Sequence, residues 1–503
     1  MAGQTYIAVV DVGKTNKKVL IFDQRLQLVD SAYQGFEEYV EDSVHLEDLE
    51  GMTAWILNQL KTFAATYRIG VISVTTHGAT LVCVDRDNNV AVPPVAYTTD
   101  PGEQFQERFY AQCGDPTQLQ QRTATPRFSL LLNAGKTLQF VKERYPGKFD
   151  NVDAILGMPQ YFGAVLTGKR GAEPTYAGCH TYLLDFGSKR YSSVTDALGV
   201  RDRLPPLAEN SWSVLGTVSE AVAAQTGLST DCIVTMGIHD SNSSLLPYLV
   251  KGYDNFVLNS TGTWCVAMHP MREVSFGPDE LGKLVLYNLD AFFNPVKTTI
   301  FMGGQEFDTY TAILKELNGR DDFPAFDEAL CARIVAERKL FVLPSVVKGT
   351  GLFPDSPPRV VEGDTTYALA DIQSGAAVPE FFRDFETAYT VLNLSLAAQT
   401  KFALGMAGFD GRGSVFTEGG FRKNGSYNAI VSAMYGESQV STTRLEEATA
   451  FGAAMLAKAA LDGTTPLDTK DLFEIEMIEI AKPNVPGLGE YIDAFHGRVG
   501  ERG

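Results

Sequence analysis

Apolar and polar positions at the start of the chain follow the period of β-strands. Residues 6–11 and 17–22 are β-rich runs on either side of the small polar turn Gly13-Lys14-Thr15-Asn16, so they predict a hairpin. The next predicted elements are a third strand, a helix and a buried strand, at residues 27–33, about 49–67 and 71–74. The predicted order is therefore three strands, a helix and a strand.

A similar succession recurs in the later half of the chain. Residues 255–259 and 264–268 predict strands around the turn Ser260-Thr261-Gly262-Thr263. Further on, a helix at residues 381–405, a strand at 414–417 and a helix at 427–435 are predicted. The repeat is one of architecture. It predicts an α/β protein with two domains, at residues 1–248 and 249–503.

Composition limits the classes of function. The 503 residues are too many for one ordinary domain. With 45% hydrophobic and 20% charged residues, the chain is typical of globular proteins. Neither a signal peptide at the N-terminus nor an apolar run long enough to span a membrane is found, so we expect a cytoplasmic protein without a membrane partner.

Charge and cysteine content add two expectations. The formal charge of −19 argues against a nucleic-acid partner, because phosphate recognition needs clustered Lys and Arg. The six cysteines are single residues without metal-ligand spacing. They are expected to be reduced, buried thiols.

One P-loop match is rejected. The segment Gly163 to Lys169 satisfies most of the P-loop spacing, but Arg170 stands where a Ser or Thr must reach the metal. The segment also continues a helical pattern instead of following a buried strand.

Five segments, in order, resemble the FGGY family of carbohydrate kinases, which belongs to the actin-like ATPase superfamily. They begin at Asp11, Gly237, Ser260, Glu418 and Glu447. The resemblance covers nearly the whole chain. It implies two ribonuclease-H-like domains flanking a deep nucleotide and substrate cleft, with ATP and Mg²⁺ as cofactors and a small sugar or polyol as substrate. Whether the chain forms a homodimer is left open.

Asp240, in the segment Gly237-Ile238-His239-Asp240-Ser241, is the candidate catalytic base. A carboxylate at a strand-to-helix corner can accept the proton of a sugar hydroxyl. It can equally cap the short helix predicted to start near Ser243, and the local residues alone do not decide between these roles. The resemblance implies the catalytic role.

The first turn is expected to meet phosphate and metal. The resemblance implies that Asp11 holds Mg²⁺ through water, although a turn-forming Asp is the alternative. Lys14, Thr15 and Asn16 depart from the family pattern of Gly followed by two small hydroxyl residues. Thr15 can still donate to a phosphate oxygen, and Lys14 either adds charge near the γ-phosphate or is an exposed turn lysine.

The second turn and two glycine pairs are expected to bind the nucleotide. A glycine lets the backbone come close to a phosphate, because it has no side chain. The threonine and serine hydroxyls supply uncharged hydrogen-bond donors. The side-chain amide of Asn424 is expected to be free to form a hydrogen bond with the adenine base. The predicted ATP-binding residues here are Thr261, Gly262, Thr263, Gly303, Gly304, Gly419, Gly420 and Asn424.

The sugar is expected to contact the first half. His77 and Gly78 follow a strand end where family members contact substrate, and imidazole suits a polyol. A core histidine is the alternative. In the family, a motif of Trp, Asp and Arg, each separated by one residue, is usual in this region. The sequence has only a degraded form of it, Tyr97-Thr98-Thr99-Asp100 without the Arg, and Asp100 is the candidate sugar contact there. His239 either contacts substrate or packs behind it.

These residues predict an ATP-dependent kinase of a ketose or polyol. A deoxyketohexose such as rhamnulose or fuculose is one hypothesis for the acceptor. The alternative is a non-catalytic nucleotide-dependent sensor or chaperone-like ATPase on the same fold. It is disfavoured because a sensor would not need Asp240.

Overall fold

A computed structural model describes residues 4–347 and 351–500. Residues 1–3 and 501–503, the outer ends of the two predicted domains, lie outside the described residues. The chain divides into two compact units. Unit 1 runs up to Tyr253 and adds Met271–Val296 and Leu445–Ile475. Unit 2 is made of Asp254–Pro270, Lys297–Arg444 and the chain from Glu476 onward.

The strands are, in chain order, β1 (Tyr6–Val12), β2 (Asn16–Phe22), β3 (Leu28–Gly35), β4 (Tyr39–Glu41), β5 (Val44–Leu46), β6 (Ile69–Thr76), β7 (Leu81–Val84), β8 (Ala154–Gly157), β9 (Leu184–Asp185), β10 (Arg190–Tyr191), β11 (Val214–Thr217), β12 (Ile233–Thr235), β13 (Ile238–His239), β14 (Phe256–Thr261), β15 (Cys265–Pro270), β16 (Val285–Leu289), β17 (Pro295–Phe301), β18 (Leu340–Leu343), β19 (Arg359–Glu362), β20 (Thr365–Ala368), β21 (Ser414–Gly419), β22 (Gln439–Thr443) and β23 (Met477–Glu479).

The α-helices are α1 (Leu49–Ala64), α2 (Glu103–Cys113), α3 (Pro116–Thr123), α4 (Ala134–Arg144), α5 (Pro146–Phe149), α6 (Met158–Thr167), α7 (Pro174–Ala177), α8 (Ser193–Ala197), α9 (Glu220–Thr226), α10 (Asp240–Lys251), α11 (Gly303–Asn318), α12 (Glu328–Glu337), α13 (Leu369–Gln373), α14 (Phe385–Met406), α15 (Gly425–Met434), α16 (Ala448–Asp462) and α17 (Leu488–Gly500). Short 3₁₀ helices lie at Arg201–Arg203, Glu380–Arg383, Gly420–Lys423 and Pro466–Leu472.

The main sheet of unit 1 is mixed. Its strand order is β11-β12-β6-β1-β2-β3. The β1–β2 and β2–β3 pairs are antiparallel, whereas β1 and β12 are parallel to β6. The short strand β13 also pairs in parallel with β6. Because β1, β6 and β13 run the same way, their carboxyl ends meet at one edge of the sheet.

The main sheet of unit 2 repeats this plan. The hairpin β14–β15 is antiparallel, and β14 is parallel to β21. Strand β21 is in turn parallel to β22, and β23 closes that side in antiparallel orientation. The carboxyl ends of β14 and β21 therefore share an edge, as those of β1 and β6 do in unit 1. Each unit has its own apolar core.

The α/β class predicted from the sequence is confirmed. The meander, the first helix and the strand after it form close to their predicted positions, as do the second hairpin and its later helix and strand. The rejected P-loop segment lies mainly in helix α6, which fits its helical pattern. All six cysteines are free thiols, and five of them are buried. The domain boundary at residues 248 and 249 stays a prediction.

One predicted bound is wrong. Helix α10 begins at Asp240 and not near Ser243. The polar residues of its first turn have weak helix propensity, but α10 packs against α16, and this packing decides the start of the helix. Within residues 4–347 and 351–500, no helix is long and apolar enough to cross a membrane.

Candidate active site

The parallel edge of unit 1 brings together four of the predicted site residues. Asp11 is the penultimate residue of β1. His77 follows β6, and its N–H donates to Val12 O at 3.0 Å. His239 ends β13, in register with Thr76, and Asp240 begins α10 directly after it. Residues far apart in sequence thus meet because three strands end at one place.

Asp240 does not act as the N-cap of α10. His239 takes the cap position, and its side chain makes no capping bond. The Oδ1 atom of Asp240 accepts from the N–H of Ser241 at 2.6 Å and from its hydroxyl at 3.2 Å. Its side chain is 26% exposed. Burial raises the pKa of Asp240, and His77 and Ser241 oppose that rise. The carboxylate is therefore oriented and open to a ligand.

Asp11 is suited to a cation site. Its side chain is buried, and its Oδ2 atom is 3.5 Å from Lys18 Nζ. Lys18 also pairs with Glu447 at 2.5 Å. Burial raises the pKa of Asp11 to about 6; Lys18 opposes this rise, whereas Asp240 and Glu447 add to it. Carboxylate oxygens are the ligands Mg²⁺ prefers, and a divalent cation would relieve the repulsion among these three acids.

The Lys14 ammonium is bound by acidic side chains. Its Nζ is 2.6 Å from Glu47 Oε1, forms a second ion pair with Glu38, and lies 4.6 Å from the centre of the Tyr97 ring. Although burial opposes it, Glu47 and Tyr97 raise the pKa of Lys14. Thr15 and Asn16 are exposed at the tip of the turn. An exposed turn lysine, one of the two alternatives, is wrong; contact with the γ-phosphate stays a prediction.

His77 presents one unoccupied nitrogen. Its Nδ1–H donates to Gly78 O at 2.9 Å. Its Nε2 is buried and has no hydrogen-bond partner among the described residues; Glu47 Oε1 is 3.9 Å away. Burial lowers the pKa of His77, so the ring is neutral near pH 7. A neutral imidazole with a free nitrogen can accept a hydrogen bond from a hydroxyl.

His239 and Gly78 pack against each other. A Cβ atom on Gly78 would lie 2.9 Å from His239 Nε2, so only glycine fits here. Burial lowers the pKa of His239 to about 3. Asp100, in contrast, is exposed, and its Oδ1 accepts from the N–H of Gly102 at 2.9 Å. Among the described residues, no hydrogen bond or ion pair joins Asp100 to Asp240, His77 or Asp11.

Unit 2 contains a cavity of about 500 Å³, a size suited to a small ligand. Six of its lining residues are predicted site residues, and five are aromatic. These are Thr261, Gly262, Thr263, Gly304, Gly420 and Asn424, with Phe307, Phe323, Phe326, Tyr389 and Phe421. Phe323 and Tyr389 stack with ring centres 5.1 Å apart. Aromatic walls next to glycine-rich backbone fit a nucleotide, with the base against the rings.

Two glycines make this backbone arrangement possible. A Cβ atom on Gly304 would lie 2.0 Å from Gly262 O. One on Gly419 would lie 1.9 Å from Thr261 O, and Gly419 has φ +75° and ψ −148°, a region nearly restricted to glycine. Gly303 packs against Cys265, where a Cβ would lie 2.5 Å from Sγ. Gly303 and Gly419 are not among the residues that line the cavity.

Thr261 joins the two strand ends of unit 2. Its hydroxyl donates to Glu418 O and accepts from the N–H of Phe421 at 2.9 Å. The amide of Asn424 is not free as expected. It N-caps α15 by accepting from the N–H of Tyr427 at 3.0 Å, and it donates to Asn393 at 2.7 Å. An Asn before a helix start is a capping signal that sequence reasoning overlooked.

Several residues at the edge of unit 1 were missed by sequence reasoning. Glu38 and Glu47 bind Lys14, Lys18 and Glu447 accompany Asp11, and Cys179 and His180 lie beside His239. Except for Lys18, which faces Asp11 across the first hairpin, each is distant in sequence from its partner. The one available signal was that acidic residues must neutralise the three lysines of the first hairpin.

Two family models together match most of the chain. The FGGY family of carbohydrate kinases, N-terminal domain, matches residues 6–247, and the carbohydrate kinase FGGY, C-terminal domain, matches residues 254–465. The chain belongs to the FGGY family of carbohydrate kinases. The resemblance drawn from the five segments is thereby confirmed.

Relatives within this family are distant. A rhamnulokinase of Enterococcus faecalis is 25% identical over 280 residues, 52% of each chain. An L-fuculokinase of Escherichia coli is 24% identical over 276 residues, 53% of this chain and 56% of the relative. The matched stretch thus spans about half the length of these curated relatives.

Solved structures match the whole chain in fold. A carbohydrate kinase from Novosphingobium aromaticivorans has a TM-score of 0.76 and 24% identity, and the match covers 99% of this chain and 98% of that one. Ligand-bound xylulose kinase from Lactobacillus acidophilus has a TM-score of 0.79 and 16% identity, with coverage of 98% and 96%. The predicted pair of actin-like ATPase domains is confirmed at the level of fold.

Proposed function

We propose that this FGGY protein transfers the γ-phosphoryl group of ATP to a hydroxyl of a small ketose or polyol, with Asp240 as the general base. The observation that carries the proposal is the position of Asp240. It stands at the parallel edge of unit 1, beside Asp11 and near His77, and it is not the cap of its helix. Its part exposure leaves the carboxylate accessible to a substrate hydroxyl.

The chain's own groups account for the sugar half of the reaction. The substrate hydroxyl gives its proton to the Asp240 carboxylate as its oxygen bonds to phosphorus. The bond from phosphorus to the bridging oxygen breaks, and ADP leaves. Ser241 holds the Asp240 carboxylate in place through two hydrogen bonds. The free Nε2 of His77 accepts from a second hydroxyl, which orients the sugar.

Nucleotide binding is assigned to the cavity of unit 2. The aromatic residues hold the base, while the turn after β14 and the backbone at Gly304 and Gly420 approach the phosphates. Gly303 and Gly419 are not among the residues that line the cavity, whereas Asn424 lines it and also caps α15. The resemblance also assigns Lys14, Thr15 and Asn16 to phosphate contact, and that assignment stays a prediction.

Asp11 is the residue proposed to hold Mg²⁺, through water. When bound, the ion would neutralise charge on the phosphates. The fit rests on the buried carboxylate of Asp11 and on the neighbouring acids Asp240 and Glu447, which raise its pKa. Lys18 keeps this acidic group paired within unit 1.

The acceptor is proposed to be a deoxyketohexose. Relatives named rhamnulokinase and L-fuculokinase motivate this class. In the unit 1 site, Tyr97 lies beside His77, with ring centres 6.0 Å apart, and Lys14 lies against Tyr97. An aromatic face suits the apolar side of a sugar. Asp100 and His239 stay predictions as direct sugar contacts.

A panel assay tests the activity. ADP release is measured with ATP, Mg²⁺ and each of a set of ketoses and polyols that includes rhamnulose, fuculose, xylulose and glycerol. We expect one ketose to raise the rate far above the sugar-free rate. If no sugar stimulates turnover while ATP binds, the kinase proposal fails and the sensor-like ATPase is favoured.

The base is tested by Asp240→Asn. We expect turnover to fall by about 10²–10⁴-fold, the contribution of a general base, with ATP affinity within about twofold of the parent. Asp115→Asn is the matched control, because Asp115 is a true N-cap, that of α3, and Asn caps as well as Asp. Near-normal turnover of Asp240→Asn would overturn the assignment.

A further inference from the structure

Three potential metal ligands cluster beside Asp240 in unit 1. The sulfur of Cys179 and one ring nitrogen each of His180 and His239 lie within 4.8 Å of one another. Cys179 Sγ and His239 Nε2 are 3.1 Å apart. Two ligands of one tetrahedral Zn²⁺ lie about 3.3–3.6 Å apart. The three atoms therefore need to move only about 1 Å to share one ion.

The outer nitrogens of both imidazoles are already fixed. His180 Nδ1 is 2.8 Å from Leu132 O, which can only accept, so Nε2 of His180 carries the free lone pair. His239 Nδ1 is 3.2 Å from the Asn242 amide, whose Oδ1 is buried without a partner. Exchanging the two Asn242 amide atoms lets Oδ1 accept from Nδ1–H. Metal-binding histidines have this kind of support.

Backbone conformation also holds the cluster together. His180 has φ +43°, which is rare for a residue with a side chain. Strained residues of this kind persist where the surroundings hold them, often at functional sites. The absence of a side chain at Gly78 leaves room for His239 Nε2 and Cys179 Sγ.

A hydrogen bond from the Cys179 thiol to His239 explains only part of this arrangement. It accounts for the 3.1 Å contact. It does not explain why a ring nitrogen of a second imidazole, that of His180, also lies within 4.8 Å of both atoms. The single thiol proton can join Cys179 to only one of the two imidazoles. Three ligand atoms that face one another in this way are typical of a metal site.

We propose that Cys179, His180 and His239 form a binding site for a borderline-soft divalent cation, represented by Zn²⁺. Sulfur and imidazole donors select such ions over Mg²⁺. Binding releases one proton from the Cys179 thiol to solvent, because the thiolate is the ligand. The half-buried ring of His180 and the part-exposed carboxylate of Asp240 provide the path of entry.

Asp240 is the nearest candidate for the fourth ligand, but its side chain must shift to reach the ion, because its carboxylate is not among the ligand atoms that all lie within 4.8 Å of one another. Its Oδ1 is 3.3 Å from His239 Nε2. A carboxylate bound to zinc cannot accept a proton from a sugar, so occupation of this site would stop phosphoryl transfer. This consequence rests on the proposed function of Asp240, whereas the binding of zinc does not.

Zinc binding is measured first, without any sugar. The full chain is treated with a chelator, exchanged into metal-free buffer and titrated with Zn²⁺ against a chromophoric competitor. We expect one tight site per chain, and at least tenfold weaker binding in Cys179→Ser and in His180→Asn. Cys113→Ser, a half-buried thiol on α2, is the matched control and should bind as the parent does. Equal binding by Cys179→Ser, or no stoichiometric site in the parent, would overturn the proposal.

A second readout uses the unaltered chain, in case a variant fails to fold. Co²⁺ in place of Zn²⁺ should give the charge-transfer absorption of a cobalt–thiolate bond. Its absence would overturn the assignment of Cys179 as a ligand.

Inhibition is then measured at fixed ATP and Mg²⁺, relative to each variant's own rate. Zn²⁺ should inhibit the parent over the range in which it binds, and inhibit Cys179→Ser at least tenfold more weakly. Turnover that continues with zinc bound would overturn the role of Asp240 as fourth ligand. If no sugar supports turnover but zinc binds as described, the metal site stands and the proposed function fails.

Discussion

The two hairpins show how one architecture can be completed in two ways. In unit 1 the turn between β1 and β2 is surrounded by charge, with Lys14 bound by Glu38 and Glu47. In unit 2 the turn between β14 and β15 is neutral, and its neighbours are backbone atoms held close by glycine. Charged side chains thus surround the first turn, whereas the close backbone contacts around the second turn depend on glycines.

This difference matches the two ligands proposed for the units. A sugar presents hydroxyl groups in a specific arrangement, and charged and hydrogen-bonding side chains can recognise that arrangement. A triphosphate is bound best by many backbone N–H groups at close range. We therefore expect substitutions to act on packing and nucleotide affinity in unit 2, and on charge balance in unit 1.

Gly419→Ala should have the largest effect. The new Cβ would meet Thr261 O at 1.9 Å, and alanine is strained at φ +75°. We expect a loss of about 3 kcal/mol or more in the free energy of unfolding, because strain and a backbone clash add together. Affinity for a non-hydrolysable ATP analogue should fall at least tenfold. Urea unfolding and calorimetric titration measure the two quantities.

Gly420→Ala is the matched control for this variant. A Cβ at Gly420 would lie 3.7 Å from the same oxygen, which is an ordinary contact, and no positive φ is required. Its stability should stay within about 1 kcal/mol of the parent. If Gly419→Ala and Gly420→Ala lose stability equally, close backbone approach is not what completes the unit 2 site.

How far the sequence predicted these sites depends on the range of the interactions. Both hairpins were predicted because alternation and small turn residues are local signals, and Asp11, His77 and Asp240 were found at strand ends for the same reason. The partners of Lys14 were not predicted. Glu38 and Glu47 are 24 and 33 residues away in sequence, and only the fold brings them close to Lys14. The start of α10 was misplaced because packing on α16 overrides weak local propensity.

Lys14→Met tests the charged hairpin. It leaves Glu38 and Glu47 beside each other without their cation, and removing one partner of a partly buried ion pair costs up to about 3 kcal/mol. We expect a lower free energy of unfolding with ATP affinity little changed. Lys61→Met, exposed on α1, is the control and should be nearly neutral.

The double variant Lys14→Met with Glu47→Gln sharpens this test. Removing one of the two carboxylates should restore part of the lost stability, because less charge is left unpaired. If Lys14→Met instead keeps full stability and weakens ATP binding or turnover, then Lys14 contacts the γ-phosphate, which is the other alternative given by the sequence.

Glu306→Gln tests the neutral character of unit 2. Glu306 is buried on α11 and accepts from Gln399 at 2.7 Å. Burial raises its pKa from 4.5 to about 7, which the Gln399 contact opposes. The folded protein therefore keeps a proton that the unfolded chain releases above about pH 4.5. The stability that this proton contributes is complete below that pH and is lost as the pH rises to about 7.

The measurement is the unfolding free energy from pH 4 to pH 8. The parent should lose on the order of 3 kcal/mol across this window from Glu306, and Glu306→Gln should lack that loss. Glu316→Gln, exposed on the same helix, should keep the profile of the parent. Identical profiles for the parent and Glu306→Gln would mean that Glu306 is ionised in the folded state.

Thr261→Val should have the smallest effect, and it separates the hydroxyl from the shape of the side chain. Valine keeps the volume but removes the acceptor for the N–H of Phe421 and the donor to Glu418 O. We expect a loss of about 1–2 kcal/mol and a modest fall in ATP affinity, because the two strand ends are less firmly joined. Thr261→Ser keeps the hydroxyl and should lose less. If Thr261→Ser loses clearly more stability than Thr261→Val, packing of the methyl group, and not the hydrogen bonds, holds the ends of β14 and β21 together.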